Sequence, residues 1–557
     1  MYSNKENVNI LTALLVGHGI RHVVVCPGSR NAPIVHNLTE CPDITCHPVT
    51  DERSAGFYAL GLSLARRETV AVCVTSGTAL LNLAPAVAEA SYQHRGIVVI
   101  SADRPQAWIG QLDGQTLPQP GAFGQFVSKC VNLPEVADEE SRWHCSRLVN
   151  EALNAVRRGG RLSVHINVPL SEPLFTFDAP QLPQPRVIRL DDGRDEASDR
   201  VDAALVEAFR KARKPMIVLG QYQGLDEQDV ASIRQLQQYA VVLAEPLSHP
   251  EGGAASDEVL YNIGDDERFL PDFLLYGGDT VVSKRLRKFL RKGVGRAFEI
   301  SEDGEIHDTF QCVERVCCAN FRAVLRSLGA AVADFEAEQS SAFTQLWQTA
   351  LAVAEQRRQR FEPEYSQMAA VKLFEQQLGE SQTPSVVHYA NSTSVRLGNI
   401  YARHFVYCNR GVNGIEGSLS TAAGHSLGTD SIVYIIIGDL SFFYDSNALW
   451  NSCLRGNLRI LLLNNGGGGI FRQLPVGDGR SAALDSVMAV HQTTAEGLCQ
   501  SYHVDYLNAH NFSELQEQMA QFMQRESDRP VLFEVFTDAD GDTGVYNDYY
   551  RGLCTEK

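Results

Sequence analysis

The sequence contains no apolar run near the ~18 residues that a bilayer-spanning helix needs, so no membrane insertion is expected. It also lacks a basic surplus: 49 Lys and Arg stand against 67 Asp and Glu, a formal net charge of −18. That sign argues against nucleic acid or an anionic membrane surface as a general partner. Any anionic ligand would have to be met by a local basic pocket. Thirteen cysteines occur, but no Cys-x-x-Cys pair, and the closest group, Cys312, Cys317 and Cys318, lacks zinc-site spacing. Scattered thiols suit a reducing compartment. The apolar run 9–16, preceded by Glu6, is too short and poorly flanked for a secretory signal, so a cytoplasmic protein is expected. The middle of the chain has neither a Gly-x-Gly-x-x-Gly nor a Walker motif, and no short-period repeat is visible.

What the chain does have is an alternation of β-branched apolar runs with helical spacings, the pattern of a parallel sheet with helical crossovers. Strands are predicted at 22–26, 70–75, 97–101 and 161–168, with a helix carrying Asn82 and Pro85 between the second and third. A stretch rich in Pro, Gln, Asp and Arg at 179–200 reads as a linker. A second set of strands follows at 216–219, 241–244, 273–276 and 297–300, with a short one at Val281-Val282. The helical segment 343–361 leads to a third set at 385–389, 432–437, 459–463 and 531–536. The predicted fold class is α/β, with three doubly wound parallel-sheet domains at 1–180, 200–335 and 365–557. At 557 residues the chain has the length for them.

The most informative stretch is 438–471. Gly438-Asp439-Leu440-Ser441 follows one strand, and Asn464-Asn465-Gly466-Gly467, closing on Ile470-Phe471, follows the next. In a doubly wound sheet both turns open into the crevice at the strands' carboxyl ends, where ligands bind. Alone, the first turn is a helix cap and the second a surface turn. Together they offer a carboxylate, amide oxygens and backbone carbonyls, a donor set that suits magnesium completed by water and phosphate.

With Asp51-Glu52-Arg53 in the first unit, this pair of turns resembles the thiamine-diphosphate enzymes of the pyruvate-oxidase type, over essentially the whole chain. Within that group the sequence most resembles the 2-succinyl-5-enolpyruvyl-6-hydroxy-3-cyclohexene-1-carboxylate synthases of menaquinone biosynthesis. The matching segments begin with Pro27-Gly28-Ser29-Arg30, Thr50-Asp51-Glu52-Arg53, Thr75-Ser76-Gly77-Thr78-Ala79 and Ala102-Asp103-Arg104-Pro105. They continue with Gln119-Pro120-Gly121, Asn409-Arg410-Gly411, Gly438-Asp439-Leu440-Ser441 and Asn464-Asn465 with Ile470-Phe471. Three departures stand out: Leu440 where the general signature has glycine, the glycine run 466–469, and Gly114 before Gln115.

The resemblance implies that the first unit holds the aminopyrimidine of thiamine diphosphate and the third its diphosphate. The two halves would come from different subunits of a homodimer or homotetramer. Glu52 would exchange a proton with a pyrimidine nitrogen, a role for which burial can raise a carboxyl pKa. Asp439, Asn465 and the carbonyl of Gly467 would hold Mg2+ (or Mn2+), with Asn464 replacing Asn465 if the register slips. Thr78, Leu440, Ser441, Ile470 and Phe471 would line the cofactor, and Ile415 would wedge beneath it.

The implied reaction is decarboxylation of 2-oxoglutarate and conjugate addition to isochorismate. Both substrates are anions, which arginine forks bind bidentately. Arg30, Arg104, Arg285, Arg396 and Arg410 are the implied anion binders, with Ser29, Gln115 and Ser392 as neutral partners and Phe471 and Leu474 as apolar wall. Besides Glu52, the implied catalytic set is Ser29, Arg30, Gln115, Arg396 and Arg410. Ser392 and Arg396, four apart, would share a helix face. Arg285 lies in the basic run 284–292, which also reads as a solvated helix face, and Lys284 would be its substitute. His388 and His425 are expected to be structural. Two other readings remain: another thiamine-diphosphate 2-oxoacid decarboxylase or carboligase of the acetohydroxyacid-synthase kind, or a non-catalytic diphosphate-binding protein.

Overall fold

The computed structural model describes residues 1–157, 162–190, 202–332, 335, 340–469, 486–524 and 527–552. Its strands form three sheets in which every pairing is parallel. The first contains β1 (His22–Val25), β2 (Thr45–Pro48), β3 (Ala71–Val74), β4 (Val98–Asp103), β5 (Val127–Asn132) and β6 (Ser163–Pro169), in the order β2-β1-β3-β4-β6-β5. The second contains β7 (Pro215–Leu219), β8 (Val241–Ala244), β9 (Phe273–Gly277), β10 (Arg296–Ile300) and β11 (Val313–Cys317), in the order β11-β10-β9-β7-β8. The third contains β12 (Ser385–Tyr389), β13 (Ile432–Gly438), β14 (Leu458–Asn464), β15 (Asp505–Ala509) and β16 (Val531–Phe536), in the order β12-β13-β14-β16-β15.

Four strands, β2, β5, β11 and β15, have no counterpart in the sequence reading. All four lie at sheet edges. Their side chains are mostly exposed or half-buried, whereas β3, β6, β7 and β14 are buried throughout. Central strands covered on both faces must be continuously apolar, and edge strands need not be. Val281 and Val282 are buried but form no strand. The Val282 N–H instead donates to the Glu245 carboxylate at 2.6 Å. The single helix expected around Asn82 is two, Thr78–Asn82 and Ala84–Tyr92, because Pro85 starts the second.

The first and third units meet at a helix pair, Glu52–Arg66 against Ser418–Leu427. Glycine makes the approach possible: a Cβ on Gly61 would collide with the Thr421 carbonyl, and one on Gly424 with the Tyr58 backbone. Tyr58 then donates its hydroxyl to the Ala448 carbonyl at 2.5 Å, buried at the junction. Among the described residues no helix is long and apolar enough to cross a membrane.

Candidate active site

In each parallel sheet the carboxyl ends share one edge. On the first sheet this edge gathers Ser29 and Arg30 after β1, Glu52 after β2, Ser76 and Thr78 after β3, and Arg104 after β4. Asp51 caps the Glu52–Arg66 helix, its Oδ1 accepting from the N–H groups of Arg53 (2.8 Å) and Ser54 (3.3 Å). The cap fixes Glu52 as the first helical residue, half-buried at the edge. Its carboxylate accepts from Asn82 Nδ2 at 3.2 Å. Gly28 allows its loop to pass Thr75, where a Cβ would collide with the threonine side chain. Gln119 is a buried hub, accepting from the Gly77 N–H (2.8 Å) and donating to Asn167 (2.7 Å) and the Ala102 carbonyl (3.1 Å). The Gln119-Pro120-Gly121 motif thus carries the loop that brings Gln115 over Gly77. Gln115 and Thr78 are exposed.

Two first-unit arginines already have anionic partners. Arg30 donates to the Leu170 carbonyl (2.9 Å) and pairs with Glu172 (3.0 Å). Arg104 pairs with Asp113 (2.6 Å) and donates to Ser76 Oγ (2.9 Å). Both partner carboxylates are exposed at 67% and 40%, so a substrate carboxylate would displace them at modest cost.

On the third sheet, β13 ends in Asp439, 3% exposed. Its Oδ1 accepts from the Leu440 N–H (2.6 Å), and its Oδ2 from the N–H groups of Asn465 (3.2 Å) and Gly467 (2.9 Å). His491 Nε2 lies 3.4 Å away. Burial pushes this carboxyl's pKa up, against the pull of those N–H groups and of His491. A dication at this position would offset the burial, and the surrounding donors fit one. Asn465 donates Nδ2 to Asp542 at 2.9 Å, leaving its amide oxygen without a hydrogen bond among the described residues. Asn464 is spent elsewhere, on Glu534 (2.7 Å), the Thr493 carbonyl (2.9 Å) and the Gly466 N–H (3.1 Å). The Gly467 carbonyl accepts from Gly469 at 2.9 Å and retains a second lone pair.

The glycine run has a local cause. Gly466 and Gly467 take φ of 75° and 150°, and the segment 488–491 lies across them so closely that a Cβ would press its carbonyls. Ser441 Oγ donates to the Ile415 carbonyl at 2.7 Å, tying the Asp439 turn to an isoleucine left 38% exposed. An exposed isoleucine in a glycine-rich loop suits a ligand-facing wedge better than core. Ile470, Phe471 and Leu474 lie outside the described residues.

Ser392 departs from expectation. It precedes the Thr393–Tyr401 helix with φ 74°, so it does not share a helical face with Arg396. Arg410 donates to Asn391 Oδ1 at 3.2 Å, and Asn391 holds the carbonyls of Asn409 (2.6 Å) and Gly414 (2.7 Å). Arg396 is half-buried and makes no hydrogen bond or ion pair among the described residues. Burial lowers its pKa, and Arg410 adds to that, while Tyr546 and Asp257 oppose it. Arg285 is clamped: it pairs with Asp257, and its guanidinium sits 4.4 Å from the Tyr550 ring and 5.1 Å from the Tyr261 ring. It is therefore not part of a solvated face, whereas Lys284 is exposed. His388 and His425 are buried and bonded to each other at 3.1 Å, as a structural pair would be.

Sequence reasoning missed the acids that set these loops. Glu89, from the first unit, accepts from the N–H groups of Gly411 (2.8 Å) and Val412 (2.6 Å) beside Arg410. Glu245 holds the N–H groups of Val282 (2.6 Å) and Ser283 (2.8 Å) ahead of Arg285. A lone glutamate after a helix turn or strand carries no local signal of such a role.

Residues 6–123 match the family model for the thiamine pyrophosphate enzyme N-terminal TPP-binding domain, and residues 392–535 the model for the C-terminal one. Over 99% of the chain and 100% of the relative, the sequence is 44% identical to the 2-succinyl-5-enolpyruvyl-6-hydroxy-3-cyclohexene-1-carboxylate synthase of Bacteroides thetaiotaomicron. It is 42% identical to the Phocaeicola vulgatus protein of the same name, over 99% of each. To the Porphyromonas gingivalis one it is 35% identical, over 100% of this chain and 98% of the relative. Two cofactor-domain matches on the two sheets with built carboxyl edges, and full-length identity well above 30%, place the chain in the 2-succinyl-5-enolpyruvyl-6-hydroxy-3-cyclohexene-1-carboxylate synthase family of thiamine-pyrophosphate enzymes.

Proposed function

We propose that the protein decarboxylates 2-oxoglutarate and adds the resulting four-carbon unit to isochorismate, giving 2-succinyl-5-enolpyruvyl-6-hydroxy-3-cyclohexene-1-carboxylate for menaquinone biosynthesis. When bound, thiamine diphosphate supplies the carbanion stabilisation that the reaction needs and that no side chain provides. Asp439, Asn465 and the Gly467 carbonyl hold Mg2+ at the third edge. Thr78, Ile415, Leu440 and Ser441 line the cofactor. Glu52 holds the proton exchanged with the cofactor's pyrimidine nitrogen. Arg396 and Arg410 bind substrate carboxylates from the third unit, and Arg30 and Arg104, with Ser29 and Gln115, from the first. Arg285 contributes from the second unit and Ser392 from the turn before Arg396. The working form is a cytoplasmic homo-oligomer in which the first edge of one copy meets the third edge of another.

One observation carries the choice of anionic substrates: Arg396, half-buried, has no anion partner among the described residues of a chain with net charge −18. A decarboxylase of small apolar oxoacids has no use for that cation. The deciding assay combines purified protein, thiamine diphosphate, Mg2+, 2-oxoglutarate and isochorismate, and follows the loss of isochorismate absorbance. Turnover with pyruvate but not 2-oxoglutarate would reject the substrate assignment while keeping the cofactor. No carbon dioxide from any 2-oxoacid would reject the enzyme itself.

A further inference from the structure

Asn465, proposed above as a Mg2+ ligand, carries an amide whose two ends differ in chemistry: the oxygen can meet a cation and the NH2 group cannot. Such a ligand works only if something fixes which end faces the metal. The bonds around Asn465 do so. Its backbone N–H donates to Asp439 Oδ2 at 3.2 Å, and its Nδ2 donates to Asp542 Oδ2 at 2.9 Å. An ionised carboxylate only accepts, so Asp542 draws the nitrogen to its own side and leaves the oxygen turned away from it.

Asp542 is itself held. It stands in the first turn of the Ala539–Gly552 helix, where Oδ1 accepts from the Gln367 N–H at 2.8 Å and Oδ2 also accepts from the Thr537 hydroxyl at 2.8 Å. Gln367 opens the Gln367–Glu380 helix, so its N–H has no partner within that helix. Asn465 and Asp542 are half-buried and line one cavity of about 30 Å3, so their contact lies at a wall and not within the core. Asn464 shows the same device with another outcome. Glu534 takes its Nδ2 at 2.7 Å, but its oxygen accepts from the Gly466 N–H at 3.1 Å. Of the two asparagines, Asn465 alone keeps an oriented oxygen with no hydrogen bond among the described residues.

We propose that Asp542 is a positioning residue of the metal site, whose carboxylate fixes the Asn465 amide so that its oxygen, and not its nitrogen, is offered to Mg2+. The inference rests on the metal set proposed above. Asp542→Asn tests it at constant shape. The Gln367 N–H is fixed in the backbone and keeps the new amide's oxygen, so the new NH2 group takes the place of Oδ2, against Asn465. Two NH2 groups cannot bond to each other, so the Asn465 amide turns over and presents its nitrogen to the cation. Thr537 adapts by turning its hydroxyl to accept.

The experiment follows thiamine diphosphate binding to the full-length protein by calorimetry as Mg2+ is raised. In Asp542→Asn the Mg2+ needed for half-maximal binding rises about 10–100-fold, the usual cost of losing a group that orients a metal ligand. The melting temperature without Mg2+ stays close to wild type. Exchanging the pair, Asp542→Asn together with Asn465→Asp, puts a carboxylate at position 465 that needs no orienting. That variant returns the Mg2+ requirement to near the wild-type value. Because it contains the same Asp542 substitution, its recovery separates orientation from a loss of stability. Asn465→Ala checks the reading beneath and also raises the requirement. If it does not, the metal assignment fails and the proposal with it. If it does, the proposal alone is overturned by wild-type Mg2+ dependence in Asp542→Asn, or by an exchange variant that recovers nothing.

Discussion

At the carboxyl edge of the third sheet, Asp439 is 3% exposed and its two oxygens accept three backbone N–H groups. At the corresponding edge of the first sheet, Ser29, Thr78 and Gln115 are exposed, and Glu52 is half-buried with a bond from Asn82. The third edge is closed over its key carboxylate by its own backbone. The first offers side chains outward, to be finished by another surface. A closed edge holds a ligand and an open one completes a site, which is why the two are proposed to meet between copies rather than to work separately.

The largest effect is expected at Glu52. Glu52→Gln should lower kcat by about 10²–10⁴-fold, the range for a lost proton-transfer group, while thiamine diphosphate binding, followed by calorimetry, stays within a few-fold. If both fell together, Glu52 would serve to hold the cofactor rather than to move its proton. Asp439→Ala should do the reverse, weakening Mg2+-dependent cofactor binding by more than about a hundredfold, beyond what loss of an outer-shell contact costs. Combining the two dead variants in one sample, with subunit exchange, sharpens the point. If each site joins two copies, roughly a quarter of the wild-type activity returns, because half the dimers are mixed and each has one intact site. Sites built within one copy would give none.

A smaller effect is expected from Arg396→Ala. Loss of a charge-assisted contact worth about 1.5–3 kcal/mol should raise KM for one substrate by about 10- to 100-fold and leave the other nearly unchanged. Equal small effects on both would put Arg396 outside the site. The smallest change concerns the junction between the edges. Asp445 is fully buried against Ser420, which donates its N–H and hydroxyl at 2.7 Å each, and burial raises its pKa to about 8. Unfolded, the carboxyl titrates near 4, so the folded state binds the extra proton between about pH 4 and 8. Stability from this group is therefore present at low pH and lost as pH rises to about 8. Asp445→Asn should gain melting temperature relative to wild type at pH 8 compared with pH 5. A pH-independent difference would mean that Asp445 stays charged when folded.

Much of this was legible in the chain because central parallel strands must be apolar on both faces, which writes them as continuous runs such as 432–437. The polar residues that interrupt those runs, Asp51-Glu52, Asp439 and Asn465, then fall at one edge by geometry. Four of the six edge strands were illegible for the same reason in reverse: β11 has no fully buried residue and carries Glu314 and Arg315 exposed, whereas the edge strand β8 is buried throughout and was legible. Ser392 was misplaced because a spacing of four says nothing about whether the helix has already begun.

Local hydrophobic pattern and turn chemistry act over a few residues, so the alternation of strands and helices, the two cofactor edges and the residue types standing on them can be read along the chain. Folding in three dimensions settles which arginines are already neutralised and which are free. Arg30, Arg104 and Arg285 meet Glu172, Asp113 and Asp257, while Arg396 meets no such partner among the described residues. It also decides that Glu89 positions a loop of the third unit and Glu245 a loop within its own unit. Arg104 with Asp113 excepted, those pairings join residues far apart in the chain, and charge compensation depends on distance in space, which no local pattern records.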